Sequence, residues 1–203
     1  MTNPSPEIFR LDHKNIFDWI EPNSRVLDLG CGDGELLSHL IEYKSVKGTG
    51  VEIDEAAIYK CIARGLTVSH GNIDTGLNDY STKRFDYVIL NESLQQVLHP
   101  QRVILEALRV GNKVIVGIPN FCHWRARVQI FFRGKVPVTK ELPYEWYDTP
   151  NLRFLSLKDF RRFCRVNEIT ILGQKNIAFN QRILLKPNVF ARIGLFLLQK
   201  NVS

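Results

Sequence analysis

Apolar positions along this 203-residue chain switch repeatedly between helical and extended spacing, and the switches predict alternating helices and strands. Ile8, Leu11, Ile16, Trp19 and Ile20 recur at helical intervals over residues 7–20, and Pro22 and Asn23 end that helix. The run RVLDL at 25–29 predicts a strand, and Leu36, Leu37 and Leu40 predict a helix behind it. The unit repeats as a strand at 48–53 and a helix at 55–63, followed by a short strand at 67–69 and a longer one at 85–90. Val103, Leu105 and Leu108 space a further helix, which leads through a turn at Gly111 to a strand at 113–118. Beyond Pro119 the pattern lapses. It returns as a helix over 157–166 and two apolar strands at 169–174 and 192–199.

Strict alternation of this kind predicts an α/β fold: a mostly parallel sheet with helices on both faces. The last two strands predict a closing antiparallel hairpin, for seven strands in all. The length and the 44% apolar content suit a single domain over residues 1–203, interrupted by an aromatic and basic insertion at about 120–151. The first residues lack a charged-then-apolar leader and no apolar run reaches membrane-spanning length, so the expected location is the cytoplasm. Cys31, Cys61, Cys122 and Cys164 are scattered without a C-x-x-C pair, which suggests neither a zinc site nor a disulfide framework.

Chemistry concentrates in RVLDLGCGDGELL at 25–37. Asp28 ends the strand, and Gly30, Gly32 and Gly34 follow at alternate positions, with Cys31 and Asp33 between them. Glycines this close let the backbone turn at positive φ and approach a ligand where a Cβ would collide. A dinucleotide loop directs a helix N-terminus at a pyrophosphate, and a carboxylate in the turn would repel that anion. The acids here suit a cation instead, and D-x-G-x-G-x-G resembles motif I of the class I S-adenosylmethionine (AdoMet) methyltransferases. The resemblance implies a Rossmann-like fold and AdoMet as cofactor, with S-adenosylhomocysteine as product. An NAD site and a purely structural glycine turn are the alternatives.

Glu52, ending GTGVE, lies near the roughly 20-residue offset at which such folds place an acid on the ribose hydroxyls; otherwise it is a surface acid at a strand end. Ile53 then lies against the adenine. After the third strand the related enzymes commonly carry G-D, whereas this chain reads His70-Gly71-Asn72-Ile73-Asp74. Asn72, with Ile73 beside it, stands at the adenine-binding position or in a turn, and Asp74 is either an alternative acceptor or a cap. Asn91, closing FDYVILN, is expected on the methionine side of the cofactor or in a turn.

The second half sharpens the likeness. NFCHW at 120–124, GKVPVTKELPYEWYDTPN at 134–151 and KDFRRFC at 158–164, together with the glycine loop and FDYVILNESLQQ, are similar to the MetW family of methionine-biosynthesis proteins. The similarity spans residues 26–174. It implies a role in methionine biosynthesis beside a homoserine O-acyltransferase, as a methyltransferase or as a non-catalytic AdoMet-binding regulatory subunit, with no defined methyl acceptor.

Pro137, Pro143 and Pro150 forbid a continuous helix, while Trp124, Phe131, Phe132, Tyr144, Trp146 and Tyr147 supply contact area. This segment reads as a substrate lid, a partner surface or a cap on the sheet edge. Tyr144 and Tyr147 are candidate acceptor contacts, and His123 is a candidate general base or a structural histidine. Between Ala107 and Lys140 there is no acidic residue, and Arg109, Lys113, Arg125, Arg127, Arg133, Lys135 and Lys140 are basic within a net charge of +6. An RNA methyltransferase would use such a field. No RNA-binding module accompanies it, and Asn91-Glu92-Ser93-Leu94 replaces the N-P-P-Y type motif of amino-group methyltransferases, so a protein-docking face and ordinary solvated charge are the competing readings.

Overall fold

The computed structural model describes residues 10–139, 142–179 and 181–200; Ile8, Lys140 and Glu141 of the segments above lie outside them. Helix α1 (Leu11–Trp19) precedes β1 (Arg25–Leu29), α2 (Glu35–Lys44), β2 (Lys47–Glu52), α3 (Glu55–Ala63), β3 (Val68–His70) and β4 (Phe85–Asn91). Then come α4 (Pro100–Val110), β5 (Gly111–Pro119), α5 (Trp124–Arg133), α6 (Leu157–Val166), β6 (Ile169–Ala178), β7 (Gln181–Arg182), α7 (Pro187–Phe190) and β8 (Ile193–Lys200). The strands form one sheet in the order β3-β2-β1-β4-β5-β8-β6-β7. From β3 to β5 every pairing is parallel, and β8 enters antiparallel between β5 and β6. This is the expected Rossmann-like sheet with its antiparallel closing strand. The eighth strand, β7, adds only two residues to the edge of the seven.

Both faces of the sheet are covered, which is why the central strands read as continuous apolar runs. Leu27, Val88, Leu90, Val114 and Val116 face the core shared with α4 and α6. Their neighbours Val26, Tyr87, Ile89 and Ile115 face the opposite core, which α1 and α2 cover through Ile16, Phe17, Leu37 and Leu40. Successive side chains of a strand point to opposite faces, so a run such as YVIL supplies both layers.

Three local expectations are corrected. Gly111 is not a turn but the first residue of β5, opposite Phe85, and a Cβ there would stand 2.6 Å from Val88 Cγ2. On α4 the buried face runs through Val103, Ile104, Ala107 and Leu108, leaving Leu105 exposed. The lapse after Pro119 contains the ten-residue helix α5, capped by His123 and ended at Gly134 with φ of 59°. That helix buries only Ala126 fully, so it lacks the apolar stripe by which periodicity reveals a helix. Trp124, Phe131 and Phe132 therefore stand on a helix, and the proline-interrupted chain begins only after it.

Candidate cofactor site

The carboxyl ends of β1, β2 and β4 converge because the three strands are adjacent and parallel, the geometry that opens a ligand crevice in such sheets. The loop leaving β1 is hung from β2: the amides of Gly30 and Cys31 both donate to the Val51 carbonyl, at 2.8 and 3.3 Å. Gly30, Gly32 and Gly34 have φ of 75°, 56° and 78°. Their reasons differ. At Gly34, the N-cap of α2, a Cβ would overlap Leu66 Cδ1 and lie 2.9 Å from Cys61 Sγ, so the glycine lets the loop pack on α3. At Gly30 a Cβ would stand 2.8 Å from Ser93 Cβ, a clash within the protein rather than with a ligand. Only at Gly32 does a Cβ meet nothing within 4 Å, because that position faces open space.

Glu52 closes the loop. Its Oε2 accepts from the Gly32 amide at 2.8 Å, and its Oε1 accepts from the amides of Ile53 and Asp54 at 2.8 and 3.0 Å. It is buried, and Asp28 is more so. Burial, with the Glu52 carboxylate as a second cause, pushes the Asp28 carboxyl up to about 7. Asp33 belongs to the loop's outer side, where it accepts from the Glu35 amide at 3.2 Å and pairs with Arg64 at 3.1 Å. The Cys31 and Cys61 sulfurs are 4.0 Å apart, and Cys61 Sγ donates to the Gly32 carbonyl at 3.2 Å. Burial raises both thiol pKa values, so these cysteines are packing groups at neutral pH.

Two adjoining cavities occupy the crevice. One of about 500 Å3 is lined by Glu52, Ile53, Asn72, Ile73, Ser93 and Leu98, among others. The other, of about 230 Å3, is lined by Asp28, Cys31, Asp33 and Asn91, with His13 and Arg10 from the start of the chain. Gly30, Gly32 and Glu92 border both. The structure thus brings together the predicted residues Asp28, Gly30, Cys31, Gly32, Asp33, Glu52, Ile53, Asn72, Ile73 and Asn91, while Gly34 supports the loop from behind.

Asn72 and Asp74 both line the cavity of about 500 Å3, and both accept from backbone amides. Asn72 is the cap, its Oδ1 accepting from the Asp74 amide at 2.9 Å. The Asp74 carboxylate accepts from the Leu98 and His99 amides, both at 2.8 Å, and so holds the chain after β4 against the crevice.

His123 is displaced from the role of general base: it is buried, its Nδ1 accepts from the Arg125 amide at 3.3 Å as the cap of α5, and it lines neither cavity. Tyr144 and Tyr147 are exposed and line neither cavity either. Leu152, just after that segment, does border the larger one, where the amides of Leu152 and Arg153 donate to the Gln95 carbonyl.

Sequence reasoning missed the contribution of α1. Asp12 accepts a bidentate pair from Arg10 and a 3.0 Å bond from Asn91 Nδ2, and His13 Nδ1 lies 3.3 Å from Glu35. Asp12, His13 and Asn15 are polar yet buried on a short helix, a signal visible only once burial is known. The basic stretch is also partly consumed internally. Arg109 chelates Glu106 and the Leu77 and Tyr80 carbonyls, Lys113 pairs with Glu21, and Arg127 donates to the Cys122 and Asn188 carbonyls.

The family model described as methionine biosynthesis protein MetW matches residues 10–198. A curated relative, the bifunctional methionine biosynthesis protein MetXA/MetW of Rhodopirellula baltica, is 32% identical over 189 residues. That match covers 89% of this chain but spans only 29% of the relative's length. Among solved structures, a SAM-dependent methyltransferase of Archaeoglobus fulgidus shares the fold at a TM-score of 0.68 and 13% identity, covering 93% of this chain and 91% of that one. A SAM-dependent methyltransferase of Thermotoga maritima does so at 0.66 and 20% identity, over 94% and 88% of the two chains. No helix among the described residues is long and apolar enough to cross a membrane.

Proposed function

The chain belongs to the MetW family of methionine biosynthesis proteins, and from that premise we propose that it binds AdoMet in the crevice of β1, β2 and β4 and acts at the homoserine O-acyltransferase step. The observation that carries the cofactor reading is the crevice itself: two buried carboxyl groups, Asp28 and Glu52, flank a positive-φ glycine loop whose Gly32 opens onto empty space. Asn91 and Ser93 also stand on its walls.

In this reading Glu52 receives the ribose hydroxyls, Ile53, Asn72 and Ile73 hold the adenine, and Asp28, Asn91 and the loop from Gly30 to Asp33 hold the amino-acid end. AdoMet supplies an electrophilic methyl group, so the protein's own task is to position, desolvate and exclude water. A regulatory subunit needs the same crevice, with AdoMet favouring one of two conformations. Calorimetric titration with AdoMet and NAD tests the assignment. Wild type is expected to bind AdoMet and not NAD, and Gly32→Asn, whose side chain tolerates the φ of 56° found there but fills the open space, to lose binding while staying folded; NAD as the preferred ligand would refute it.

The acyltransferase partner is supported by the family resemblance and by a relative whose name joins MetXA to MetW in one chain. The docking surface we assign to the aromatic segment. Phe131, Phe132, Trp146 and Tyr147 are 81%, 75%, 72% and 71% exposed, so they are not a cap on the sheet edge. Rigid exposed aromatics of this kind are typical interface anchors. Trp146→Ala is expected to leave AdoMet affinity and folding intact while weakening association with the acyltransferase from the same organism by at least roughly 2 kcal/mol. Calorimetry between the purified proteins reads this directly, and undiminished association would move the segment's role to substrate closure.

A further inference from the structure

The cofactor crevice is one-sided in charge. The described residues lining its larger cavity include the acids Glu52, Asp74 and Glu92 and no lysine, arginine or histidine. The smaller cavity adds Asp28, Asp33 and Glu35, and against them stand two basic residues, Arg10 and His13. Burial lowers the His13 pKa, which leaves its ring uncharged at neutral pH. Arg10 is therefore the one permanent cation among the described residues of both cavities.

That cation is held from two elements. Arg10 stands immediately before α1, and its Nε and Nη2 donate to the two oxygens of Asp12 at 3.2 and 3.0 Å. Nη2 also donates to Glu92, just after β4, at 2.6 Å. Asp12 is buried and accepts from Asn91 Nδ2 at 3.0 Å, which ties the group to the end of β4. These bonds use Nε and Nη2 and leave Nη1, with its two N–H groups, without a hydrogen bond among the described residues. A guanidinium pinned in this way keeps its plane, so the remaining donors are preorganised for a carboxylate. Its side chain is half exposed where the smaller cavity meets a third space of about 790 Å3, and a ligand reaches it without dismantling the existing pairs.

We propose that Arg10 receives the α-carboxylate at the amino-acid end of AdoMet, and that the protein thereby selects for adenosyl ligands that carry this carboxylate over those that lack it. The proposal rests on the AdoMet reading of the crevice. The acids on its walls suit the ammonium and the sulfonium of the ligand, but they repel its carboxylate. Arg10 is the group that offsets that repulsion.

Three ligands, titrated calorimetrically into the full chain, test this: AdoMet, decarboxylated AdoMet, which lacks the carboxylate alone, and 5′-deoxy-5′-methylthioadenosine, which lacks the whole amino-acid end. Wild type is expected to bind AdoMet roughly tenfold or more tightly than decarboxylated AdoMet, the scale of a charge-assisted hydrogen bond. An acidic crevice without a carboxylate site gives the opposite order, because decarboxylated AdoMet is the more positively charged ligand. Arg10→Gln is expected to lose the preference for AdoMet and to keep its methylthioadenosine affinity within about twofold of wild type, which a collapsed crevice would not do. Arg10→Lys, which keeps the charge without the fork, should fall between the two. The comparison of ligands on wild type needs no variant, so it stands even where Arg10→Gln fails to fold. Equal or tighter binding of decarboxylated AdoMet by wild type, or an undiminished preference in Arg10→Gln, overturns this inference alone. Failure of wild type to bind AdoMet overturns the cofactor reading and this inference with it.

Discussion

AdoMet affinity is expected to rise with pH up to about 7 and then level off, with a proton released on binding. The cause is Asp28, whose carboxyl is pushed up to about 7 by burial and then by the charge of Glu52. A cationic ligand at this position favours the ionised form, so at lower pH binding must first expel the proton. If the complex restores an ordinary carboxylate pKa, the ceiling is about three pH units, or roughly 4 kcal/mol between pH 4 and pH 7.

Stability of the ligand-free protein runs the other way. A folded-state pKa raised above the unfolded value contributes stability that is fully present below about pH 4 and is lost as pH rises through about 7. Asp28→Asn should therefore flatten both profiles: a weaker, pH-independent affinity, and a ligand-free protein stabilised relative to wild type at pH 8. Calorimetry in buffers of different ionisation enthalpy counts the protons, and urea titrations at pH 5 and 8 give the stability. A wild-type affinity flat across this range, with no proton released, would place Asp28 away from the ligand's charge.

Glu52→Ala is expected to weaken AdoMet binding by roughly 1.5–3 kcal/mol, the scale of hydrogen bonds to a charged group. Here the side chain acts twice. It faces the cavity of about 500 Å3, and it receives the amides of Gly32, Ile53 and Asp54, so its loss also frees the glycine loop. Removing its charge takes away one of the two causes that raise Asp28, and the pH step described above should move to lower pH in this variant. Glu52→Gln, which keeps one acceptor oxygen but loses the charge, should show the same move with a smaller loss of affinity. Unchanged AdoMet affinity in Glu52→Ala, measured by the same titration, would remove the ribose from this position.

Much of the molecule was legible in the order of its residues. Elements that bury a whole face or both faces, such as β1, β4, α2 and α6, follow from apolar spacing alone, because burial on that scale leaves a periodic imprint. The loop of Asp28, Gly30 and Gly32 and the acid Glu52 were readable too, since close backbone approach and a strand-end carboxylate each demand a residue type at a set position. Tertiary structure alone decided the rest. Helix α5 buries one residue and leaves no stripe, so only its cap at His123 and its end at Gly134 define it. Gly30 and Gly34 look equivalent to Gly32 in sequence, yet what a Cβ would strike at each is fixed by Ser93, Leu66 and Cys61 from distant parts of the chain. A cavity of about 790 Å3 joins Arg10, Glu92, Phe179 and Arg192, which are brought together by the antiparallel entry of β8 between β5 and β6. Local propensity reports what a segment can bury. Which charged side chains meet across a sheet depends on strand order, and strand order is settled by packing between segments far apart in the chain.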